Sequence, residues 1–391
     1  MRTLFIGASA LAALSVIVGL TGSVSGCTSE TTTTGGTTSG GTPAADAGPV
    51  ATAVPGSEIG SKDGTPASVT FTEIYSAGAA SKLVDVAYFA DRDELWAVGY
   101  GDHSVYVGGL AADAPGFKKV LDPAAAHFMY KPPAIAMGTN GFWATCGDNT
   151  NEHASVGDGS NALFMGPSLW TTDMAILGKR TSGGLGSHYD MLHNTPLCRG
   201  IAHVSANIYW VFNSYDSSLD KYDFHKDHGP GEDDHSDGEI YRYAMGKVKG
   251  VNGGTPSHVF YDASDKFLYV ADTGNGRVAR LDTTKGTKGG PLARQFEPLE
   301  GNAIMTGTDV EDVVAKGTLE RPSGIEVKND LVYVTDAATS TFHVFDKTGK
   351  EIRKLDTGLP GNSLAGFTFG GDGKIYFTDM VAGKIFRIDP L

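Results

Sequence analysis

Cysteine is scarce, with three in 391 residues, which excludes a disulfide-dense scaffold. Charge is thin at 19% and leans acidic, with 31 Lys and Arg against 45 Asp and Glu and a net charge of −14. No cluster of basic residues is present to neutralise a phosphate backbone, so nucleic acid is excluded as a partner. Beyond Leu20 no apolar run is long enough to span a bilayer. There is no Gly-x-Ser-x-Gly elbow, and no dinucleotide or Walker fingerprint follows a strand-like run. Glycine and aromatics are abundant instead: 53 Gly, 15 Tyr and 18 Phe, within a 40% hydrophobic composition. That mixture predicts many tight turns between short aromatic-rich strands, and enough apolar matter for a large core.

The first 26 residues read as a secretory signal. Arg2 supplies a short positive region, Leu4 to Leu20 is apolar, and small residues lead into Cys27. The stretch Val24-Ser25-Gly26-Cys27 resembles a bacterial lipobox. That resemblance implies that Cys27 becomes the lipidated N-terminus and anchors the chain in a membrane of the bacterial cell envelope, the outer membrane or cell surface. From Thr28 to Thr42 every residue except Glu30 is Thr, Ser or Gly. With Pro43, Pro49 and Pro55, residues 27–66 are expected to form a flexible tether with an end-to-end distance on the order of 35 Å. Residues 67–391 then form the folded domain.

That domain repeats one unit of about 54 residues six times. In the last three units, Ser257-His258-Val259-Phe260, Ser323-Gly324-Ile325-Glu326 and Ala365-Gly366-Phe367-Thr368 each open a copy. Leu268-Tyr269-Val270-Ala271-Asp272, Val332-Tyr333-Val334-Thr335-Asp336 and Ile375-Tyr376-Phe377-Thr378-Asp379 follow them. Each copy ends on a third aromatic and β-branched run, and the three runs read as strands A, B and C of an antiparallel blade. Weaker copies begin at Val84, Pro133 and Arg199, with the third run of the second copy placed at Leu163-Phe164-Met165. Cys146 and Asn213 occupy the slot held elsewhere by Asp272, Asp336 and Asp379. The pattern resembles the NHL repeat. It implies an all-β, six-bladed β-propeller. The chain stops after strand C of the sixth unit, so the strand-like residues 68–75 are expected to supply the missing outer strand and close the ring.

Seven of the 11 His fall between His188 and His258, where even spacing predicts about two. His188, Asp190 and His193 precede strand A of the third unit, on the predicted D-to-A connection. His225 to His235 holds three imidazoles (His225, His228, His235) and four carboxylates, Asp233 and Asp234 among them. Imidazole with carboxylate suits Zn and its neighbours, carboxylate-rich loops suit Ca, and a solvated acidic loop is the simpler alternative. Aligning the units places Asp85, Ala134, Gly200, His258, Gly324 and Gly366 in one slot at the mouth of the central tunnel. Asp85 and His258 stand on opposite blades there and are candidate metal ligands. Pro256-Ser257-His258-Val259 is similar to the segment that presents a zinc-binding His in propellers related to the peptidyl-amidoglycolate lyase. Only His258 matches, so the resemblance does not extend to the activity. Asp85 suits the axial calcium site of propeller lactonases, which His258 does not.

With Cys27 lipidated, Cys146 and Cys198 are the remaining thiols in an oxidising compartment. The alignment brings them to neighbouring strand ends on one face, as a disulfide or as two reduced buried Cys. Two functions stay open. One is a binding or scaffold module that receives a protein, peptide or glycan on its top face. The other is a hydrolase or lyase with a divalent metal at the tunnel mouth. The anchor is tested directly by Cys27→Ser, which is expected to move the protein from the membrane fraction to the soluble fraction. Retention in the membrane would contradict the lipobox reading.

Overall fold

The computed structural model describes residues 54–60, 63–111, 116–151, 163–232 and 234–391. Cys27 and Asp233 lie outside them. The regular secondary structure of the described residues is almost all strand, gathered into six sheets. Strands A to D are Leu83–Phe89, Glu94–Gly99, Ser104–Gly109 and Lys118–Val120 in blade one. In blade two they are Ile135–Met137, Phe142–Thr145, Ser168–Thr171 and His188–Met191. Blade three has Cys198–Ser205, Ile208–Asn213, Ser218–Asp223 and Glu239–Tyr243, and blade four has Val259–Asp262, Phe267–Asp272, Arg277–Asp282 and Val310–Val314. Blade five has Pro322–Lys328, Leu331–Asp336, Thr341–Asp346 and Glu351–Asp356. Blade six has Leu364–Phe369, Ile375–Asp379 and Lys384–Pro390.

Strand B of each blade reads as a nearly unbroken apolar run because both its faces are covered. In blade four, Leu268 and Val270 join Trp210 and Phe212 of blade three in one core. Tyr269 and Ala271 face the other way and join Val332 and Val334 of blade five. Each such side chain contributes about 1.5–3 kcal/mol by leaving water, so blade–blade packing carries most of the stability. The Asp that ends strand B is structural. Asp272 accepts from Arg277 Nε at 2.7 Å and Lys249 N at 2.8 Å, and Asp336 accepts from Glu320 N at 2.7 Å and Arg321 N at 3.0 Å. These carboxylates satisfy backbone N–H groups of the loops over the A-strand starts.

The ring closes as the sequence predicts. Val69–Ser76 pairs antiparallel with Lys384–Pro390, from Val69 opposite Pro390 to Ser76 opposite Lys384. It is the fourth strand of blade six. Packing reaches back past residue 67. Ile59 is 1% exposed in a core with Val69, Tyr333 and Phe342, and Glu58 accepts from the Tyr333 hydroxyl at 2.7 Å.

Two features depart from the repeat. Strand C of blade two is Ser168–Thr171, not residues 163–165. Trp170 sets this register: it pairs with Trp143 across the strands and stacks on it, with ring centroids 5.8 Å apart. Strand D therefore begins at His188, so His188 and Asp190 lie on the outer edge of blade two rather than on the connection to blade three. The second departure is residues 283–309, between strands C and D of blade four. Gly301–Thr306 joins the outer edge of blade three, parallel to Glu239–Tyr243, and Thr287–Lys288 pairs beyond it. Among the described residues no helix is long and apolar enough to cross a membrane.

Deleting residues 69–76 is expected to leave Lys384–Pro390 as an open edge and to cause aggregation or loss of a cooperative melt. Deleting residues 28–50 is expected to leave Tm unchanged. Equal behaviour of the two deletions in thermal unfolding would contradict the closing-strand account.

Candidate functional site

Six A strands converge on the axis, and their first residues decide whether the tunnel is open there. Asp85 of blade one reaches blade two, where its Oδ2 accepts from Ile135 N at 2.8 Å, while Oδ1 accepts from Val86 N at 2.9 Å. His258 of blade four crosses to the same blade, and its Nε2 donates to the Pro133 carbonyl at 3.0 Å. Its Nδ1 lies 3.6 Å from Asp85 Oδ1. The two residues expected to face each other across a mouth therefore touch and fill it. This crowding explains the glycines in the same slot. A Cβ on Gly366 would lie 2.0 Å from Asp85 Oδ1 and 2.7 Å from His258 Cε1, and one on Gly200 would lie 2.3 Å from the Ser257 carbonyl oxygen. A metal at this mouth finds both Asp85 oxygens and His258 Nε2 already engaged with the backbone.

Below the plug the axis opens into a shaft. A cavity of 330 Å³ is lined by strand A residues of all six blades, among them Ala87, Met137, His203, Tyr261, Glu326 and Thr368. The residues at its base, Asp85 and His258, are each 6% exposed, while Tyr88, Met137 and Tyr261 further along are half-buried, so the shaft widens toward the ends of the A strands. Burial raises the Asp85 carboxyl well above the usual range, partly opposed by the Ile135 and Val86 N–H groups. Burial lowers His258 to about 4, partly opposed by the Pro133 carbonyl. Burial also pushes Glu326 up to about 8, against the Thr368 hydroxyl and with the Asp85 charge adding to the rise.

The remaining His candidates meet elsewhere, at the outer rim between blades two and three. The loop between strands C and D of blade three folds onto strand D of blade two, with Gly231 N donating to the His188 carbonyl at 2.7 Å. Asp190 is 1% exposed. Its Oδ1 accepts from His235 Nδ1 at 2.9 Å and Met191 N at 2.6 Å. Its Oδ2 lies 3.9 Å from His228 Nε2, which donates to Asp237 Oδ1 at 2.9 Å. His193 sits beside this group, hydrogen-bonded to Glu297 and with its ring 5.5 Å from that of His235. His188 is buried against Phe128, ring centroids 3.5 Å apart, and burial lowers it to about 4. His225 stands apart, 3.6 Å from Asp223 and 3.8 Å from Glu239. Asp234 is exposed and reaches His228 Nδ1 only at 3.9 Å. The two His groups thus join through Asp190, because strand D of blade two and the long loop of blade three are neighbours around the ring.

Sequence reasoning missed Asp237, Glu297 and Glu326. Glu326 had a signal: it lies two residues beyond the slot residue Gly324, hence on the same face of strand A. Glu297 had none, since residues 283–309 have no counterpart in the repeat.

The rim above the plug is polar and aromatic. Tyr100, whose hydroxyl donates to Asp148 Oδ2 at 2.7 Å, lies under Lys82 Nζ at 4.7 Å from the ring centroid. Arg199 pairs with the same carboxylate, and Lys131 Nζ lies 5.2 Å from the Tyr130 ring. Burial lowers the Lys82 ammonium, against the pull of Asp148. Cys146 and Cys198 form a disulfide beside this rim, with Cα atoms 6.0 Å apart and a sequence separation of 52. A loop of that length suggests on the order of 4 kcal/mol from chain entropy. The bond ties the end of strand B in blade two to strand A of blade three, at the slot where other blades use Asp.

No family model matches the sequence, and no curated protein matches it. Solved structures share the fold. A protein of unknown function from Bacteroides thetaiotaomicron is 11% identical with a TM-score of 0.52, over 82% of this chain and 76% of its own. A luciferin-regenerating enzyme is 10% identical with a TM-score of 0.50, over 83% of this chain and 96% of its own. A streptogramin B lyase is 15% identical with a TM-score of 0.49, over 83% of this chain and 98% of its own. Likeness at these identities concerns architecture, a six-bladed β-propeller, and not activity.

Glu326 yields a pH prediction. Its carboxyl holds its proton up to about pH 8 when folded, against an ordinary value of 4.5. The folded state binds that proton more tightly, so the associated stability is present below pH 4.5 and is lost as pH rises toward 8. Glu326→Gln cannot ionise. Its Tm is expected to exceed that of the wild type at pH 8 and to match it near pH 4. A Tm difference independent of pH would show that Glu326 is not held protonated.

Proposed function

We propose that the chain is a lipid-anchored binding module of the bacterial cell envelope, an NHL-like propeller held off the membrane by the segment after Cys27. The observation that carries this reading is the plugged axis. Asp85 and His258 spend their polar atoms on Ile135, Val86 and Pro133. They brace three blades, which favours a scaffold over a hydrolase or lyase working at a metal in the mouth. As cofactor we propose a divalent metal bound away from the axis.

The ligand surface on this reading is the rim over blades one to three. Tyr100 and Tyr130 offer ring faces, and Lys82 and Lys131 lie beside them. Aromatic planes next to ammonium groups suit an acidic glycan or a peptide carboxylate. The mature chain is to be screened against a glycan array and a peptide library. Tyr130→Ala with Lys131→Ala is expected to weaken the hits by about tenfold or more, that is ~1.4 kcal/mol, with His258→Gln binding as the wild type does. Metal-dependent turnover of an ester or lactone panel that His258→Gln abolishes would restore the enzyme reading in its place.

A further inference from the structure

We infer that Asp190, His228 and Asp237 form a first-row divalent metal site that clasps blade three onto blade two. The inference stands whatever the rim binds. One ligand atom from each of the three residues lies within 4.8 Å of the other two, and His228 Nε2 is 3.9 Å from Asp190 Oδ2 and 2.9 Å from Asp237 Oδ1. Two donors come from the long loop of blade three and the third from strand D of blade two, so the site exists only where the blades meet.

Asp190 separates this group from an ordinary acidic loop. Its side chain is inaccessible, and Oδ2 is buried without a hydrogen-bond partner among the described residues. A buried carboxylate oxygen left without a donor costs about 1–3 kcal/mol or more, and this one faces His228 Nε2 at 3.9 Å. A cation between them removes that cost. The other oxygen is already oriented by His235 Nδ1 at 2.9 Å and Met191 N at 2.6 Å, the kind of second contact that holds a metal ligand in place.

The donor set selects the metal. One imidazole and two carboxylates suit zinc and its first-row neighbours, whereas calcium takes about six to eight oxygens. Two ligands of one tetrahedral zinc lie roughly 3.3 Å apart, from bonds of about 2.0–2.1 Å. The present separations of 2.9 Å and 3.9 Å bracket that figure, so small side-chain shifts complete the site. On binding, the single ring proton of neutral His228 moves from Nε2, where Asp237 now accepts it, to Nδ1, and the freed Nε2 lone pair takes the metal.

The test uses the mature chain, stripped with chelator, reloaded with zinc chloride and desalted. The expected result is one zinc per chain by elemental analysis, with a rise in Tm of several degrees. Asp237→Asn, a partly exposed and nearly isosteric change, is expected to weaken zinc binding at least tenfold, and Asp237→Asn with His228→Ala to abolish it. His225→Ala, which removes the imidazole of the separate Asp223, His225 and Glu239 group, is expected to retain full zinc. The inference is overturned if the wild type holds no stoichiometric zinc. It is equally overturned if the double variant, native by circular dichroism, retains it, or if His225→Ala loses as much as Asp237→Asn does.

Discussion

The filling of the axis by two side chains is the contact on which the rest of this propeller depends. Six A strands converge there, and Asp85 and His258 occupy the space that Gly200 and Gly366 leave. Both reach blade two, the blade whose strand A is only three residues long and least able to hold itself by backbone pairing. Burying an acid and an imidazole together is costly unless their polar atoms find partners. Three backbone hydrogen bonds provide them. The plug keeps His258 neutral, leaves a blind shaft below, and gives the face above a solid floor.

Polar chemistry is thereby moved outward. On one face it becomes the rim of Tyr100, Tyr130, Lys82 and Lys131, stiffened by the Cys146–Cys198 bond. At the periphery it becomes the Asp190, His228, His235 and Asp237 group, built where a long loop of one blade lies on the edge strand of the next. Both sites join blades that adjoin around the ring, so they report on blade packing as well as on ligands.

Much of this was legible in the sequence, and the boundary of legibility is physical. The first three strands of blades four to six repeat one pattern, because strand B must be apolar on both faces and must end on an Asp that satisfies loop N–H groups. The closing strand followed from a missing strand D after Ile388-Asp389. Blade two was read less well, since its register is set by one tertiary contact, Trp170 on Trp143, rather than by local pattern. The site residues were found as types but not as partners. Asp190 and His228 are 38 positions apart and meet only because a loop crosses between blades. Glu297 reaches His193 from an insertion that no periodicity announces. Asp85 and His258 share one slot in the alignment, but the alignment could not show that both reach blade two and bond to its backbone.

The most direct test of a filled axis with its metal chemistry at the outer rim is the anomalous difference density of zinc in crystals of the protein, recorded above and below the absorption edge. The account predicts a peak among Asp190, His228 and Asp237, and none between His258 and Asp85. A peak on the axis at His258, with the rim bare, would contradict it.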